Sequence, residues 1–265
     1  MRFLLSITIV ALLVSNLTAI SQELDLGTLK ITYNLSYIND SSNMQKVSND
    51  IMILLAGKKI SSFYSFKQFM ADSLKQADEA KGVAQADMMA NLSKYKGSKN
   101  SYTIFKNYPA GQMTTFDKIA LDRFQYEEKL SSPDWKISNE KVKILNYTCQ
   151  KATAFYLGRH YEAWFTSDIA VNNGPWKFNG LPGLILRVYD TRKHYSFECT
   201  GIETLKPGKP IQLPKGNFIK VSKAEFQKTY RRCMNDPMGY LEATTGIKGP
   251  AGNNAPPKPY NPIEL

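Results

Sequence analysis

The sequence predicts an α+β fold: a curved antiparallel β-sheet of the half-barrel type, with helices packed on one face. Three observations predict it. Residues 28–38 alternate between apolar and polar side chains. Residues 66–94 repeat apolar side chains at steps of three and four, as a helix does. Most of the chain after residue 100 consists of short strand-like segments separated by turn signals. With 265 residues, 43% of them hydrophobic, the chain can bury one substantial core.

The first residues predict export. Arg2 precedes an apolar run over residues 3–17, and Ala19 and Ser21 are small residues suited to cleavage before Gln22. The run is shorter than the roughly 20 residues that a membrane span needs. Residues 1–21 are therefore predicted to be a cleaved signal peptide, followed by one α+β domain over residues 22–245.

Periodicity predicts the elements of the first half of the chain. Residues 28–38 form a strand that places alternate residues on one face: Ile31, Tyr33, Leu35 and Tyr37. Residues 51–55 and 59–64 are predicted to form a hairpin. Residues 66–94 form a helical insertion that Gly82 interrupts. Its stripe of Met and Ala side chains would pack on the sheet or, alternatively, face an apolar ligand.

The second half of the chain predicts an antiparallel meander. The expected strands are residues 101–106, 112–116, 119–127, 142–145, 148–157, 159–166, 184–189 and 194–202. Residues 206–216, rich in Pro and Lys, are predicted to be a connection. Ser222 and Glu225 form a capping box for a helix that ends before Pro237. The Pro- and Gly-rich tail, residues 246–265, is predicted to be irregular, with its last residues able to dock as an edge strand.

Charge and export together restrict the partners. The formal net charge is +11. Arg2 is the single charged residue of the predicted signal peptide, so cleavage would leave a net charge of +10. An exported protein does not meet nucleic acid, so we expect no nucleic-acid partner. The basic residues would instead meet anionic lipid headgroups or acidic protein surfaces, or they would form a solvated face.

Three cysteines in an oxidising compartment predict one disulfide between two of Cys149, Cys199 and Cys233, although the spacing does not say which two. The two histidines, His160 and His194, have no ligand-like spacing. We therefore expect no metal and no cofactor.

The densest cluster of turn signals is in residues 174–189, where a run of glycines and prolines leads into a strand. The candidate structural or binding residues here are Trp164, Gly174, Pro175, Trp176, Phe178, Gly180, Leu181, Pro182 and Gly183. The two tryptophans would form an aromatic platform at a cavity or hold the loop in the core. Either role explains the glycines and prolines through the backbone angles of the turn.

Residues 146–189 resemble the GLPGLI family of exported proteins from Bacteroidota. The match includes the hexapeptide at residues 180–185, the sequence GPW at 174–176, AWFT at 163–166 and the closing NPIEL at 261–265. Ala170 departs from the family, in which we expect Pro. The resemblance implies a protein of the periplasm or the periplasmic face of the outer membrane, and it carries over no catalytic residue. The fold is also similar to the LolA-type half-barrel of periplasmic lipoprotein carriers.

These observations favour a non-enzymatic envelope protein. Such a protein would hold an apolar lipid or a peptide, or serve as an accessory component of an outer-membrane transport or assembly complex. A periplasmic hydrolase of peptides, esters or glycans is the alternative, with Asp117 and Asp122 or Glu127 and Glu128 as candidate carboxylate pairs. No catalytic motif supports it. A third possibility, a purely structural partner, would contain no cavity. The sequence does not predict the oligomeric state.

Overall fold

A computed structural model describes residues 23–246 and 259–265. The predicted signal peptide, residues 1–21, lies outside the described residues, as does most of the predicted tail. The described chain forms a large, open, curved sheet of twelve strands with four helices. The predicted α+β class is therefore confirmed.

The strands are β1 (Glu23–Tyr37), β2 (Ser48–Ala56), β3 (Ser61–Ser65), β4 (Thr103–Lys106), β5 (Gln112–Ile119), β6 (Asp122–Lys129), β7 (Lys136–Ile144), β8 (Tyr147–Tyr156), β9 (Arg159–Thr166), β10 (Leu184–Asp190), β11 (Tyr195–Gln212) and β12 (Ile219–Lys220). The helices are α1 (Phe66–Ala80), α2 (Gln85–Ala90), α3 (Lys223–Asn235) and α4 (Pro237–Thr245), with a short 3₁₀ turn at Leu92–Tyr95.

Two meanders build the sheet. Strands β1 to β6 pair in chain order, and strands β7 to β11 do the same. The two meanders join where β1 pairs antiparallel with β11. Among the described residues, all pairings between strands are antiparallel except that of the two-residue strand β12 with β6, and an isolated parallel bridge joins Asn173 to Leu184. Residues far apart in sequence therefore share one continuous sheet surface.

The main core lies on one face of the sheet, called the inner face below. Strand β1 contributes Ile31, Tyr33, Leu35 and Tyr37, all at most 5% exposed, as the alternation predicted. Phe63 of β3, Tyr161 of β9 and Phe197 of β11 belong to the same buried cluster. The inner face is therefore rich in aromatic side chains over both meanders.

Helices α1 and α3 begin where the sequence predicts. The Ser65 hydroxyl accepts a hydrogen bond from the Gln68 N–H at the start of α1, which contacts β2 and β3. The helical run is interrupted after Ala80, where Gly82 has a φ of +76°. At α3, Ser222 and Glu225 form the predicted capping box.

Helix α3 packs on strands β5 and β6 of the sheet. The Phe226 ring lies 5.8 Å from the ring of Phe124 and 5.0 Å from that of Tyr126. Tyr126 pairs with Thr115, and Thr115 pairs with Ile104 of the main core. Because paired residues on neighbouring strands point to the same face of a sheet, Tyr126 lies on the inner face, and α3 covers the β6 end of that face.

Several elements differ from the sequence prediction, among them β11, β6 and α4. Residues 206–212 belong to β11 instead of a connection, because β1 begins at Glu23 and supplies a pairing partner for them. The predicted strand at 119–127 is split by a turn in which Ala120 has a φ of +54°. Helix α4 was not predicted; the Asp236 side chain caps it by accepting from the Gly239 N–H.

The predicted disulfide is absent: no disulfide joins Cys149, Cys199 or Cys233, and all three are buried. Cys149 lies on β8 and Cys199 on β11, with β9 and β10 between them. Cys233 belongs to the separate cluster around Phe226. Burial raises the pKa of the Cys149 and Cys199 thiols to about 11.

Candidate functional site: the loop before β10 and the adjoining groove

The loop between β9 and β10, residues 167–183, folds onto the inner face of the sheet. Its central side chain is Phe178, which is fully buried. The Phe178 ring lies edge-on to Tyr161 at 4.7 Å and to Trp176 at 5.2 Å between ring centroids. These aromatic contacts fill the space beneath the loop, so the loop packs directly on the sheet.

A buried lysine fastens this loop to the other meander. Lys106, at the end of β4, donates from Nζ to the Gly174 and Phe178 carbonyl oxygens, both at 2.7 Å, and to Asn173 Oδ1 at 2.9 Å. Burial holds the pKa of Lys106 well below its usual value, and no carboxylate lies among these three acceptors. The three N–H groups of an ammonium have three acceptors here. Lys106 therefore fixes the loop at both ends of the sequence GPWKF.

Three residues of the loop, Trp176, Gly180 and Gly183, have positive φ angles. Gly183 has a φ of +144°, and a Cβ atom there would overlap the Thr166 carbonyl oxygen. Trp176 has a φ of +47°, which is uncommon for a bulky side chain. Its ring is held at 2% exposure between Phe178 and Tyr156. The hexapeptide thus begins β10 through a turn that requires glycine.

Most of the predicted loop residues are inaccessible to a ligand from solvent. The buried ones are Gly174, Pro175, Trp176, Phe178, Leu181 and Gly183. Gly180 and Pro182 are exposed at the tip. Trp164 lies apart from Trp176: it is half-buried, and its Nε1 donates to Glu162 Oε1 at 3.3 Å. The two tryptophans have different neighbours.

Residues 259–265 lie in a groove beside this loop. The groove is formed by Gly158, Arg159, Lys177, Tyr195, Lys223 and Tyr230. We predicted that these last residues could dock as an edge strand; they dock, but they form no strand. Two backbone hydrogen bonds hold them, from the Asn261 N–H to Asn39 O and from the Leu265 N–H to Leu157 O, both at 3.0 Å. Side chains supply the other contacts.

Arg159 is the centre of one half of the groove. Its guanidinium is 4% exposed and pairs with Asp190, with Nη1 3.2 Å from Oδ2. The same guanidinium donates to Asn261 Oδ1 at 2.8 Å and to the carbonyl oxygens of Pro262 and Ile263. Arg159 therefore has one charged partner in the body of the protein and three neutral acceptors in residues 259–265.

Asn261 has all of its polar groups bonded in the groove. Its Nδ2 donates to Ile38 O at 2.6 Å, and its carbonyl oxygen accepts from Tyr195 Oη at 2.6 Å. With the contacts to Arg159 and Asn39 described above, both ends of the side chain and both backbone groups have partners. Such complete pairing selects asparagine over aspartate or alanine.

Four charged side chains form the other half of the groove. Lys177 of the loop contacts Glu128 of β6 and Glu264, and Lys223 of α3 contacts the same two carboxylates, at 2.8 and 2.7 Å. Lys177 is 1% exposed, and its burial alone would lower its pKa, but Glu264 and Glu128 outweigh burial and raise it. This charge square, Lys177, Glu128, Lys223 and Glu264, joins the loop, the sheet, α3 and residues 259–265.

Asp117 of β5 is a half-buried carboxyl close to the charge square. Burial raises its pKa to about 6, against the opposing effect of the Ser101 hydroxyl, which donates to it at 2.6 Å. The other member of the predicted pair, Asp122, accepts from Tyr240 Oη at 2.8 Å. Glu128 of the second predicted pair belongs to the charge square. Each of these three carboxylates is thus bonded to groups of the fold.

The described surface has small recesses. One, of about 250 Å³, is lined by residues that include Asn34, Asp50 and Phe66. Another, of about 20 Å³, lies beside Asp117 and Phe218. Within residues 23–246 and 259–265, no group of three or more His, Cys, Asp or Glu side chains is placed to hold a metal ion. In the same described parts of the chain, no helix has the length and hydropathy of a membrane span.

A family model described as "Protein of unknown function (Porph_ging)" matches residues 158–187. The matched region runs from Gly158 through β9 and the loop into β10, so it includes Arg159, Lys177 and the hexapeptide. No curated protein matches the chain.

Solved structures match the fold. Two structures of PNGF-II, in space groups C2 and P21, have TM-scores of 0.51 and 0.53 at 17% and 16% identity. The matches cover 76% and 78% of this chain but 32% and 34% of those chains, so this chain spans about a third of their length. An uncharacterised conserved protein from Thermus thermophilus matches with a TM-score of 0.37 at 8% identity, over 75% of this chain and 92% of that chain. At such identities the PNGF-II structures show the fold alone.

Several residues of the site were not singled out from the sequence: Lys106, Lys177, Lys223, Asn261 and Glu264. Four of them are lysine or glutamate, residue types that are rarely buried, so composition gives no reason to place them inside. Lys177 carried one signal, because it lies inside the otherwise apolar sequence PWKF. Its partners, however, are 49 and 87 residues away.

Proposed function

We propose that this chain is a non-enzymatic exported protein of the cell envelope, of the GLPGLI type, that acts by binding other proteins. In this proposal it works in the periplasm or at the periplasmic face of the outer membrane, as an accessory component of a transport or assembly complex. The apolar run of residues 3–17 supports export.

The observation that carries the proposal is the filled inner face. An apolar-ligand carrier needs a cavity of about 300–1,000 Å³. Here Phe178, Trp176 and Leu181 of the loop occupy the centre of the inner face, and each is at most 2% exposed. The observation favours a protein that offers its surface to partners over one that encloses a lipid.

The candidate carboxylates favour the same conclusion over a hydrolase. A general acid or base must reach its substrate. Glu128 is paired with two lysines, and Asp117 accepts a hydrogen bond from the Ser101 hydroxyl. No observation on the described residues favours hydrolysis over binding.

Affinity capture tests the proposal. The tagged chain, expressed in its own cells and purified from gently solubilised envelopes, should return an outer-membrane complex in stoichiometric amount. High salt should weaken the association if the basic surface contributes, because surface charges are screened. Recovery of soluble monomer alone would contradict the proposal. Turnover of peptide, ester or glycan substrates that disappears on replacement of Asp117 or Glu128 would favour the hydrolase.

A further inference from the structure

We propose that the groove is a peptide-recognition site for sequences of the type Tyr-Asn-Pro-apolar-Glu, and that residues 259–265 occupy it as a bound ligand belonging to the same chain. This inference rests on the proposed binding function and names its site and ligand class. A partner peptide of the same chemistry would displace residues 259–265 from the groove.

The groove cations keep partners when residues 259–265 leave. Arg159 retains Asp190, and Lys177 and Lys223 both retain Glu128. A buried charge that lost its only partner would be strongly destabilising, but each of these charges has a resident carboxylate. The architecture therefore resembles a preformed site more than a core that residues 259–265 complete.

The charge balance of the groove selects an acidic ligand. Three cations, Arg159, Lys177 and Lys223, face two resident carboxylates, which leaves one positive charge that Glu264 neutralises. Burial alone would raise the pKa of Glu264, but Lys177 and Lys223 outweigh it and lower the pKa. His194 Nδ1 lies 3.4 Å from Arg159, and Gln227 Nε2 lies 3.5 Å from Glu264.

The remaining contacts recognise the rest of the ligand. Asn261 has every polar group bonded, as described above. The Pro262 position lacks an N–H donor, and its carbonyl oxygen accepts from Arg159. The Tyr260 ring lies 5.0 Å from the Tyr230 ring, and Ile263 packs against the main core. Tyr260, Asn261 and Ile263 thus make contacts that depend on their residue type, whereas Pro262 contributes a backbone carbonyl oxygen.

Residues 260–264 are themselves only half-buried, although the side chains that hold them are buried. They make no strand pairing, and two backbone hydrogen bonds join residues 259–265 to the rest of the protein. Contacts through side chains can be reproduced by an incoming peptide, because they require only the same residues in the same order.

The test uses a synthetic peptide with the sequence of residues 259–265 and an N-terminal fluorescein. It is titrated by fluorescence anisotropy into the full chain and into a full chain carrying Asn261→Ala and Glu264→Ala. In the wild type, residues 259–265 compete with the labelled peptide for the groove at a roughly millimolar effective concentration. The doubly substituted chain should therefore bind the peptide at least about tenfold more tightly than the wild type does.

Control peptides test the specificity. Two control peptides carry the changes that correspond to Asn261→Asp and Glu264→Gln. Each should bind the doubly substituted chain at least about tenfold more weakly than the unchanged peptide does, since each lacks a group that is hydrogen-bonded or ion-paired in the groove. No binding at millimolar peptide would overturn the inference. So would loss of the cooperative thermal transition in the doubly substituted chain, because residues 259–265 would then be part of the fold.

A second measurement needs no substitution in the groove or its ligand. A protease site inserted within residues 247–258 of the otherwise wild-type chain separates residues 259–265 on cleavage. The released segment should exchange with the labelled peptide, and retention without exchange would contradict the inference. If the protein still captures its partner although the groove binds no peptide, the partner uses another surface. That result would contradict this inference and leave the proposed function standing.

Discussion

Lys177 and Glu264 form a buried ion pair although 87 residues separate them in the sequence. Lys177 lies in the loop before β10, and Glu264 lies in the groove. Their shared partners, Glu128 and Lys223, complete the charge square. This contact joins the loop before β10 to residues 259–265.

Replacement of Lys177 by Met should be strongly destabilising. It leaves Glu128 and Glu264 buried with Lys223 as the remaining cation of the square, and loss of one partner from a buried ionic network costs about 3–5 kcal/mol. Urea unfolding at neutral pH measures the free energy change. The matched control is Lys30→Met, in the exposed Lys30–Glu203 pair, which should cost less than about 1 kcal/mol. Similar changes in both variants would contradict the role of the square.

Glu264→Gln should lower stability in a pH-dependent manner. The pKa of Glu264 is lowered below its usual 4.5, so its charged form contributes stability above that pH. As pH falls through the lowered pKa, the carboxylate takes up a proton and this contribution is lost. Unfolding curves of the wild type and the variant should differ at neutral pH and converge in acid. A difference that stays constant from neutral to acid pH would contradict the assignment.

Gly183→Ala should impair folding before it affects any binding. A Cβ atom would overlap the Thr166 carbonyl oxygen, and the φ of +144° is strained for any residue with a side chain. The expected result is a loss of secreted yield and a lower melting temperature. Gly201→Ala is the matched control, since a Cβ atom there meets no heavy atom within 4 Å. A stable Gly183→Ala protein that has lost only partner binding would instead make the loop itself the site.

Phe178→Ala should cost about 3–5 kcal/mol of unfolding free energy, the range for truncation of a buried phenylalanine. Phe178 is fully buried under the loop and touches aromatic side chains of both the loop and the sheet. Phe155→Ala, at a residue 61% exposed, should change stability by less than about 0.5 kcal/mol. Chemical denaturation of the two variants measures both values. Equal changes would mean that Phe178 does not hold the loop on the core.

Asp117→Asn should remove a pH dependence and stabilise the protein near neutral pH. Burial raises the folded-state pKa of Asp117 to about 6, above its usual 3.8. The protonated carboxyl therefore contributes stability below 3.8, and this contribution, about 3 kcal/mol, is lost as pH rises through about 6. Asn keeps an oxygen that accepts from Ser101.

Melting temperatures from acid to neutral pH test this expectation. The wild type should lose stability across the titration of Asp117, and Asp117→Asn should lose less. The control is Asp72→Asn, which removes a half-exposed carboxylate paired with Lys118 and should keep the wild-type profile. Parallel profiles for the wild type and Asp117→Asn would show that Asp117 ionises normally.

Local patterns predicted the elements well because their causes are local. The alternation of Ile31, Tyr33, Leu35 and Tyr37 reports the buried face of β1, and the Ser222 and Glu225 pair reports the start of α3. Errors arose where a distant strand supplied the missing partner. Residues 206–212 contain prolines and lysines that resemble a connection, yet they pair with the start of β1.

The sequence alone determined the class of fold, the order of most strands and helices, and the need for glycine at the hexapeptide turn. Each depends on backbone preferences and periodicity within a few residues. Tertiary structure decided the rest, namely the joining of the two meanders at β1 and β11, the burial of the three cysteines without a disulfide, and the charge square. Lys177 and Glu264 look like ordinary surface residues in sequence. Only the curvature of the sheet and the fold of the loop bring their opposite charges together away from water, where a buried charge is costly without a partner.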